Sequence, residues 1–299
     1  MSGSWLVTGS RGQLGRALED GLRSAGRDCR AFSHEELDIT SEDGIRAAFD
    51  ALEAAPAVVL NAAAFTQVDR CESEPERAYQ VNAEAPALLA RICSERGVRL
   101  VHVSTDYVFS GDASQPYAEQ DPTAPTSIYG RSKLEGERRV LAHSGDFLVV
   151  RSSWIFGKGR NFLAAMLGQA AKRRSGEVKE PLRVVDDQWG RPSYAPDLAA
   201  GILALLEAGA RGLYHLANAG VATWWELARF CLDESGYGDV KIERLRTADF
   251  ERPAPRPRWS VLDCGKALAV GVEMREWRDA VRAYLASESA FPNSADRSR

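Results

Sequence analysis

The chain opens with Trp5-Leu6-Val7-Thr8-Gly9-Ser10-Arg11-Gly12-Gln13-Leu14-Gly15, an apolar run that leads into a turn with three glycines. A helical pattern through Leu18 and Leu22 follows this turn. Strand, glycine turn and helix in this order are typical of a dinucleotide-binding fingerprint, because glycine lets the backbone approach a pyrophosphate and the helix start offers unpaired N–H groups. The spacing is G-x-x-G-x-x-G rather than G-x-G-x-x-G, and an ordinary turn between strand and helix is the alternative interpretation.

The first 150 residues alternate apolar runs with helical patterns. The runs are Trp5–Val7, Val58–Leu60, Leu100–Val103 and Phe147–Val150, with a weaker one near Cys29–Phe32, and the helical patterns include Ile45–Leu52, Ala78–Glu95 and Ser132–Ala142. This alternation predicts an α/β fold, a Rossmann-type doubly wound parallel sheet over residues 1–150. Ligands of such sheets bind beyond the carboxyl ends of the strands.

The second half of the chain is less regular, and residues 151–286 are predicted to form a smaller mixed substrate lobe. Such lobes often interleave with the first domain, so the boundary near residue 150 is soft. Helices are expected at 161–175, Leu198–Glu207, Trp224–Ser235 and Glu276–Leu285, strands at Arg183–Val185 and Tyr214–Leu216, and extended backbone at Pro253–Arg258. The composition of residues 287–299 predicts a disordered tail.

Composition argues against several classes of function. The formal net charge of −4 does not indicate a nucleic-acid surface, and no apolar run is as long as the roughly 18 residues of a membrane span. Five scattered cysteines without a C-x-x-C pair, and no basic region before the first apolar run, favour a cytoplasmic protein without disulfides. The four histidines lack ligand spacing, so no metal site is predicted.

Tyr129 and Lys133 stand four residues apart in a predicted helix, which places both side chains on one face. An ammonium beside a phenol favours the phenolate, so Tyr129 is expected to exchange a proton with a substrate oxygen nearer neutral pH. Thr105 follows a predicted strand and offers a hydroxyl to the same oxygen. These groups favour hydride transfer from a nicotinamide to a carbonyl, with Tyr129 as the acid. A surface Tyr-x-x-x-Lys and a turn-capping threonine are the alternatives.

Three residues bear on the adenosine end of such a cofactor. Asp38 lies 23 residues after Gly15, close to the position where an acidic residue often binds ribose hydroxyls, although a helix cap or solvated turn fits the spacing equally well. Ser33 occupies the predicted tip of the second strand, where a carboxylate would repel a 2′-phosphate, and Arg11 is available to pair with that phosphate. NADPH is therefore predicted to be accepted at least as well as NADH.

Taken together, these segments resemble the extended short-chain dehydrogenase/reductase superfamily and, within it, the dTDP-4-dehydrorhamnose reductase family. The resemblance spans roughly residues 4–285 and is carried by Gly9–Gly15, Leu60–Asp69, Glu72–Pro75, Val81-Asn82, Val103–Phe109, Tyr129–Lys133, Val150–Gly157, Asn161-Phe162, Asp187–Pro192 and Arg256-Pro257. The blocks Ser104–Phe109 and Asp187–Pro192 are much more specific than Tyr-x-x-x-Lys alone.

The resemblance implies reduction of the 4-keto group of a dTDP-linked 4-keto-6-deoxysugar, dTDP-4-dehydro-L-rhamnose, with NADPH or NADH. It implies that Tyr129 is the proton donor and Lys133 its partner, and that Thr105, Asp106 and Trp154 contact the substrate. The cofactor-binding set comprises Gly9, Arg11, Gly12, Gln13, Leu14, Gly15, Asp38, Ile39, Ala63, Ala64, Phe65, Thr66, Tyr129 and Lys133.

Several alternatives stay open at this stage. Relatives in deoxysugar pathways reduce other nucleotide-linked 4-ketosugars with overlapping motifs. A dehydratase is disfavoured because Tyr107, rather than glutamate, follows Asp106, and an NADP-binding regulatory subunit is disfavoured by the intact catalytic residues. Some family members form dimers bridged by magnesium through glutamates, and the N-terminal one is replaced near Arg16-Ala17, so a monomer or a homodimer without this bridge is expected.

Overall fold

The computed structural model describes residues 4–52 and 56–287 of the chain. Its strands are β1 Trp5–Thr8, β2 Cys29–Phe32, β3 Val58–Asn61, β4 Arg99–Thr105, β5 Leu148–Ser152, β6 Ile155–Phe156, β7 Leu182–Val185, β8 Trp189–Gly190, β9 Ser193–Tyr194, β10 Gly212–His215, β11 Ala222–Thr223 and β12 Ile242–Leu245. Its α-helices are α1 Gln13–Ser24, α2 Glu42–Asp50, α3 Val68–Ser73, α4 Pro75–Tyr79, α5 Ala85–Glu95, α6 Ile128–His143, α7 Phe162–Arg174, α8 Ala195–Glu207, α9 Trp224–Glu234, α10 Gly265–Ala269 and α11 Trp277–Ala286. Residues 288–299, nearly all of the expected disordered tail, lie outside the described residues.

Six parallel strands form the central sheet in the order β10-β5-β4-β3-β1-β2. From β1 the chain moves outward to β2, and from β3 it moves in the opposite direction to β4, β5 and β10. The strand order therefore reverses between β1 and β3, and the carboxyl ends of these strands border a crevice in which such folds bind ligands. This topology confirms the predicted Rossmann-type doubly wound sheet.

Both faces of the sheet are covered by helices, because successive strand residues point to opposite faces. On one face, α1 and α8 pack against the sheet through Leu18, Leu22, Leu198 and Ile202 on the helices and Val7, Val101 and Val150 on the strands. On the other face, α2, α5 and α6 pack through Ile45, Phe49, Leu89, Ile92 and Val140 against Leu6, Val59, Leu100 and Val149. Each such side chain stabilises the fold by about 1.5–3 kcal/mol on burial.

The chain returns to this sheet after residue 150. Helix α8 and strand β10 belong to the central α/β unit, so residues from both sides of the boundary near residue 150 build it. Helices α7, α9 and α11 surround a separate apolar cluster that includes Phe156, Leu163, Leu227 and Trp277. No helix within residues 4–52 and 56–287 is long and apolar enough to cross a membrane.

The predicted helix Ala78–Glu95 is interrupted by a π-helical turn at Gln80–Glu84. Pro86 lacks the N–H that would bond to the Asn82 carbonyl in a regular α-helix, and local widening of the helix accommodates this loss. The Asn82 side-chain amide accepts a hydrogen bond from the Phe65 N–H at 2.8 Å and donates one to the Phe65 carbonyl at 3.1 Å. This turn thereby holds the segment after β3, which the sequence assigns to cofactor binding.

Candidate active site

A cleft of about 1570 Å³ runs along the carboxyl ends of β1, β3 and β4, where the strand order reverses. One wall is formed by the glycine turn, the segments after β2 and β3, and the start of α6. The other wall comes from the C-terminal half of the chain and includes Trp154, Lys158, Arg160 and Trp224. Every residue predicted to bind cofactor or substrate lines this cleft except Gly15.

The glycine turn fits closely against the end of β3. Gly9 has a φ of +75°, and a Cβ there would lie 2.7 Å from the Ala63 nitrogen, so a side chain is excluded by conformation and by space. A Cβ at Gly15 would lie 2.1 Å from the Gly9 carbonyl oxygen, so Gly15 acts by letting α1 approach the turn rather than by facing the cleft. Helix α1 begins after Gly12 without a side-chain cap, which leaves its first N–H groups for an anion. The turn therefore fits a dinucleotide pyrophosphate.

Asp38 and Ile39 line the cleft beyond β2. The Asp38 carboxylate accepts hydrogen bonds from the Thr40 N–H at 2.9 Å and the Thr40 hydroxyl at 2.8 Å. The backbone hydrogen bond from Thr40 is the main cause of the lowered pKa of Asp38. Asp38 thus stabilises its own turn, which was one of the two interpretations of its position, and it stays ionised at the edge of the cleft.

The surroundings of Ser33 and Arg11, the two residues predicted to determine whether a 2′-phosphate is accepted, differ from the prediction. Ser33 is buried and does not line the cleft, whereas its neighbour His34 does. Arg11 lines the cleft as expected, but its guanidinium is paired with Glu35, with Nη1 2.6 Å from Oε2. Neither Glu35 nor His34 was predicted to lie at this site, since neither belongs to a recognisable pattern.

Tyr129, Thr105 and Lys133 come together at the carboxyl end of β4. Helix α6 starts at a Ser127 cap, whose hydroxyl accepts the Gly130 N–H at 3.1 Å, and it buries Tyr129 and Lys133 against the sheet. Burial raises the pKa of the Tyr129 phenol, and a hydrogen bond with the Thr105 side chain acts in the opposite direction. The expectation of a Tyr129 pKa nearer neutrality is wrong for this structure, because burial outweighs the groups that favour the phenolate. The phenol is therefore protonated at neutral pH, as a proton donor requires.

The Lys133 amine is buried beneath the cleft. Its Nζ donates to the Val103 carbonyl at 2.7 Å and lies 3.3 Å from Nε2 of His102. Burial lowers the pKa of Lys133 to about 8, and the nearby Glu137 carboxylate acts in the opposite direction. Lys133 therefore titrates close to the physiological range, unlike an exposed lysine.

Asp106 follows Thr105 at the floor of the cleft and is almost fully buried. Its Oδ1 accepts from the Thr105 hydroxyl at 3.0 Å, whereas its Oδ2 is buried. Burial raises the pKa of this carboxyl to about 6. Hydrogen bonds with the Ser260 and Thr105 side chains act in the opposite direction, so protein side chains hold this carboxyl at the floor of the cleft.

Two tryptophans form part of the second wall. The rings of Trp154 and Trp224 are stacked, with centroids 3.8 Å apart and planes inclined by 10°. Trp154 has a φ of 49°, a conformation that costs a non-glycine residue free energy and is often found at functional sites. Its indole lies on Gly190, where a Cβ would come within 2.4 Å of the ring. Packing thus fixes the Trp154 indole at the cleft, and Trp224, which the sequence analysis missed, supports it.

Within residues 4–52 and 56–287, no three histidine, cysteine or acidic side chains are arranged to hold a metal ion. The polar side chains that meet at the carboxyl end of β4 are those of Tyr129, Lys133, Thr105 and Asp106.

The sequence of the chain was compared with known protein families. The family described as RmlD substrate binding domain matches residues 4–290. The chain belongs to this family.

The match extends to individual relatives of the RmlD family over nearly the whole chain. The dTDP-4-dehydrorhamnose reductase of Mycobacterium tuberculosis strain H37Rv is 42% identical, over 98% of this chain and 95% of that protein. A probable dTDP-4,6-dihydroxy-2-methyloxan-3-one 4-ketoreductase of Streptomyces antibioticus is also 42% identical, over 97% and 95%. The solved dTDP-4-dehydrorhamnose reductase of Bacillus anthracis in complex with NADP superposes with a TM-score of 0.87 at 32% identity, over 95% and 99%.

Proposed function

We propose that the protein reduces the 4-keto group of dTDP-4-dehydro-L-rhamnose to give dTDP-L-rhamnose, with NADPH or NADH as reductant. The observation that carries this proposal is the convergence of Tyr129, Thr105 and Lys133 beside the glycine turn, in a member of the RmlD family. A bound nicotinamide dinucleotide supplies the hydride. The names of the M. tuberculosis and B. anthracis relatives support the same substrate and an NADP-type cofactor.

The proposed cofactor-binding residues follow the length of the cleft. Gly9, Gly12, Gln13 and Leu14 would hold the pyrophosphate, with Gly15 behind them. Asp38 and Ile39 would contact the adenosine end, Arg11 a 2′-phosphate, and Lys133 the ribose hydroxyls nearest Tyr129. The groove between these ends would be lined by Ala63, Ala64, Phe65 and Thr66.

Tyr129 supplies the proton in the proposed reaction. As the keto carbon is reduced, its oxygen takes the phenolic proton, so that C=O becomes C–OH and a phenolate remains. The raised pKa of Tyr129 keeps this proton in place at neutral pH until the oxygen becomes basic. The Thr105 side chain, which hydrogen-bonds the phenol, orients it. An ammonium on Lys133, four residues along the same helix face, would stabilise the phenolate.

Trp154 and Asp106 are proposed to contact the substrate. The apolar face of a sugar ring packs well on an indole, and the strained backbone of Trp154 fixes that indole without help from the ligand. The Asp106 carboxylate, which lines the cleft, would accept a hydrogen bond from a sugar hydroxyl. These contacts would set the ring pose, and thereby the configuration of the product at C4.

A second candidate is the reduction of another dTDP-linked keto-deoxysugar. It is favoured by the S. antibioticus relative, which is as similar to this chain as the M. tuberculosis protein but is named for a different sugar. The motifs around Tyr129 serve any of these reactions, because they act on the carbonyl and not on the other ring substituents.

Incubation with dTDP-4-dehydro-L-rhamnose and either NADPH or NADH tests the proposal, with product identification by NMR. Stoichiometric cofactor oxidation and formation of dTDP-L-rhamnose are expected. A product epimeric at C4, or activity only on another ketosugar, would favour the second candidate. Sugar conversion without net cofactor consumption would indicate an epimerase or dehydratase, and cofactor binding without turnover a regulatory subunit.

The protein is proposed to be located in the cytoplasm and to be a monomer or a homodimer. All five cysteines are free thiols, which supports a location in the cytoplasm. A monomer or a homodimer without a magnesium bridge stays a prediction, which light scattering with and without a chelator would test.

A further inference from the structure

A row of buried polar side chains crosses the sheet and ends at Lys133. Thr8, Asn61 and His102 are register partners on the adjacent strands β1, β3 and β4, so their side chains lie side by side on the face that α6 covers. Neighbouring side chains in the row lie within hydrogen-bond distance. The Thr8 hydroxyl is 2.7 Å from the Asn61 amide, that amide is 3.1 Å from the His102 ring, and the ring is 3.3 Å from the Lys133 amine. All four residues are buried.

The orientation of the Asn61 amide follows from its neighbours. Its Oδ1 lies 2.7 Å from the Thr8 hydroxyl and 3.2 Å from the Ala63 backbone nitrogen. A hydroxyl can donate or accept, but a backbone N–H only donates, so the atom facing Ala63 must be the amide oxygen. Asn61 therefore presents its NH₂ group to Nδ1 of His102.

This orientation determines where the His102 ring carries its proton. Because the Asn61 NH₂ group donates, Nδ1 of His102 must accept, and the neutral ring then carries its hydrogen on Nε2. A doubly protonated ring would place a second N–H donor against the NH₂ group of Asn61. Burial, together with the Lys133 charge, also lowers the pKa of His102 well below 6.5, so the ring is neutral. The Nε2–H group consequently faces the Lys133 amine at 3.3 Å.

We propose that Asn61 and His102 are positioning residues that set the charge of Lys133, by holding an N–H donor against its amine. A neutral amine accepts this hydrogen, whereas an ammonium has no lone pair to receive it, so the contact favours release of a proton from Lys133. An amine that gains and loses its proton near neutral pH can return a proton to the Tyr129 phenolate after each turnover.

Other charged and titratable groups around Lys133 act differently. Glu137, one turn further along α6, favours the ammonium, but its carboxylate is also paired with Arg151 on β5 at 2.7 Å. Tyr129 on α6 is a neutral phenol, and Asp106 lies beyond the end of β4 against Thr105. Among these groups, His102 alone presents a fixed donor to the Lys133 nitrogen.

The substitution Asn61→Asp tests this inference with almost no change in shape. A carboxylate at this position still accepts from Thr8 and Ala63, but it also requires a donor from Nδ1 of His102. The ring proton is then expected to move to Nδ1, which leaves Nε2 as an acceptor that favours an ammonium on Lys133. Thr8→Val is the matched control, because the Ala63 N–H remains and is expected to keep the amide orientation.

Two measurements read the result. Long-range ¹H–¹⁵N NMR spectra of histidine, assigned with His102→Gln, are expected to show the Nε2–H tautomer of His102 in the natural protein and in Thr8→Val, and the Nδ1–H tautomer in Asn61→Asp. The pH at which kcat/KM falls on the alkaline side is expected to rise by about one unit or more in Asn61→Asp, because a donor facing Lys133 is replaced by an acceptor.

An Nδ1–H tautomer in the natural protein at about pH 9 would overturn the inference, and this spectrum requires no enzymatic activity. A tautomer that switches in Asn61→Asp without any movement of the alkaline limb would equally overturn it. The pH profile rests on the proposed reductase function, but the tautomer does not, so failure of that function would appear as absent turnover with the Nε2–H tautomer intact.

Discussion

The guanidinium of Arg11 and the carboxylate of Glu35 form an ion pair at the rim of the cleft, with Nη1 2.6 Å from Oε2. Arg11 and Glu35 are 64% and 71% exposed, so solvent screens the pair and its strength is small. Its position matters more than its strength, because Glu35 holds the group that would bind a 2′-phosphate. A phosphate of NADPH would have to displace this carboxylate, whereas NADH makes no such demand.

Glu35→Gln is therefore expected to lower KM for NADPH by about 2–5-fold, because the competing carboxylate and its repulsion of the phosphate are removed. KM for NADH is expected to stay within error. Steady-state kinetics with both cofactors check this, with Glu19→Gln as the control, since Glu19 forms a similar surface pair with Arg23 away from the cleft. Equal changes for both cofactors would exclude Glu35 from 2′-phosphate discrimination.

Arg11→Ala is expected to raise KM for NADPH about 5–30-fold, as for the loss of one charged phosphate contact of about 1–2 kcal/mol. The effect on NADH should be much smaller, because only NADPH carries the extra phosphate. Arg23→Ala, on α1 and away from the cleft, is the control and should alter neither constant. An unchanged ratio of the two KM values in Arg11→Ala would show that Arg11 does not read the 2′ position.

Tyr129→Phe is expected to reduce kcat about 10²–10⁴-fold, because the substitution removes the proton donor and keeps the ring. The cofactor dissociation constant, measured by fluorescence titration, should change little. Tyr107→Phe is a matched control, since that ring lies edge-on to Tyr129 with centroids 5.6 Å apart. Near-normal turnover of Tyr129→Phe at saturating substrate would rule out the phenol as the acid.

Lys133→Met should lower both kcat and cofactor affinity, since it removes a charge near Tyr129 and the proposed ribose contact while keeping the packing. In the natural protein, kcat/KM is expected to fall as pH rises through about 8, where the ammonium loses its proton. The residual activity of Lys133→Met should lack this fall. Arg131→Met, on an exposed face of α6, is the control, and an unchanged alkaline limb in Lys133→Met would assign the limb to another group.

Trp224→Ala is expected to raise KM for the sugar nucleotide about 2–10-fold, because an aromatic pair contributes about 0.5–1.5 kcal/mol and Trp154 loses its stacking partner. The turnover number should change less, since the proton donor is untouched. Trp225→Ala is the control, because the neighbouring indole contacts Arg244 and does not line the cleft. A similar KM increase in both variants would indicate a general effect on α9 rather than support of Trp154.

Much of the fold was predictable because strands, turns and helices each follow from patterns among neighbouring residues. The succession from Trp5 to Gly15 predicted the first strand, turn and helix, and alternation predicted the parallel sheet, since strand and helix periodicities depend only on nearby residues. The π-turn at Gln80–Glu84 was not predicted, although Pro86 lies inside the predicted helix Ala78–Glu95. An interior proline indicates that a helix is disturbed, but it does not specify the geometry of the disturbance.

The identity of the site residues was likewise accessible from the sequence, whereas their physical state was not. Spacing placed Tyr129 and Lys133 on one helix face, and the motifs around Thr105 and Trp154 marked the cleft. The pKa values of Tyr129 and Lys133 depend on how deeply α6 is buried against the sheet. Burial is a property of the packed molecule, so the predicted lowering of the Tyr129 pKa was wrong.

The contacts that tune the site join residues that are distant in the chain. His102 contacts Lys133, which is 31 residues away in the sequence, and Asn61 contacts His102, which is 41 residues away. The Trp154 ring stacks on Trp224, which follows 70 residues later. No periodicity or motif records such pairs, because each arises from the register of parallel strands or the docking of a helix. The sequence therefore specified which chemistry the cleft holds, and the folded arrangement of strands and helices set the charge and orientation with which that chemistry operates.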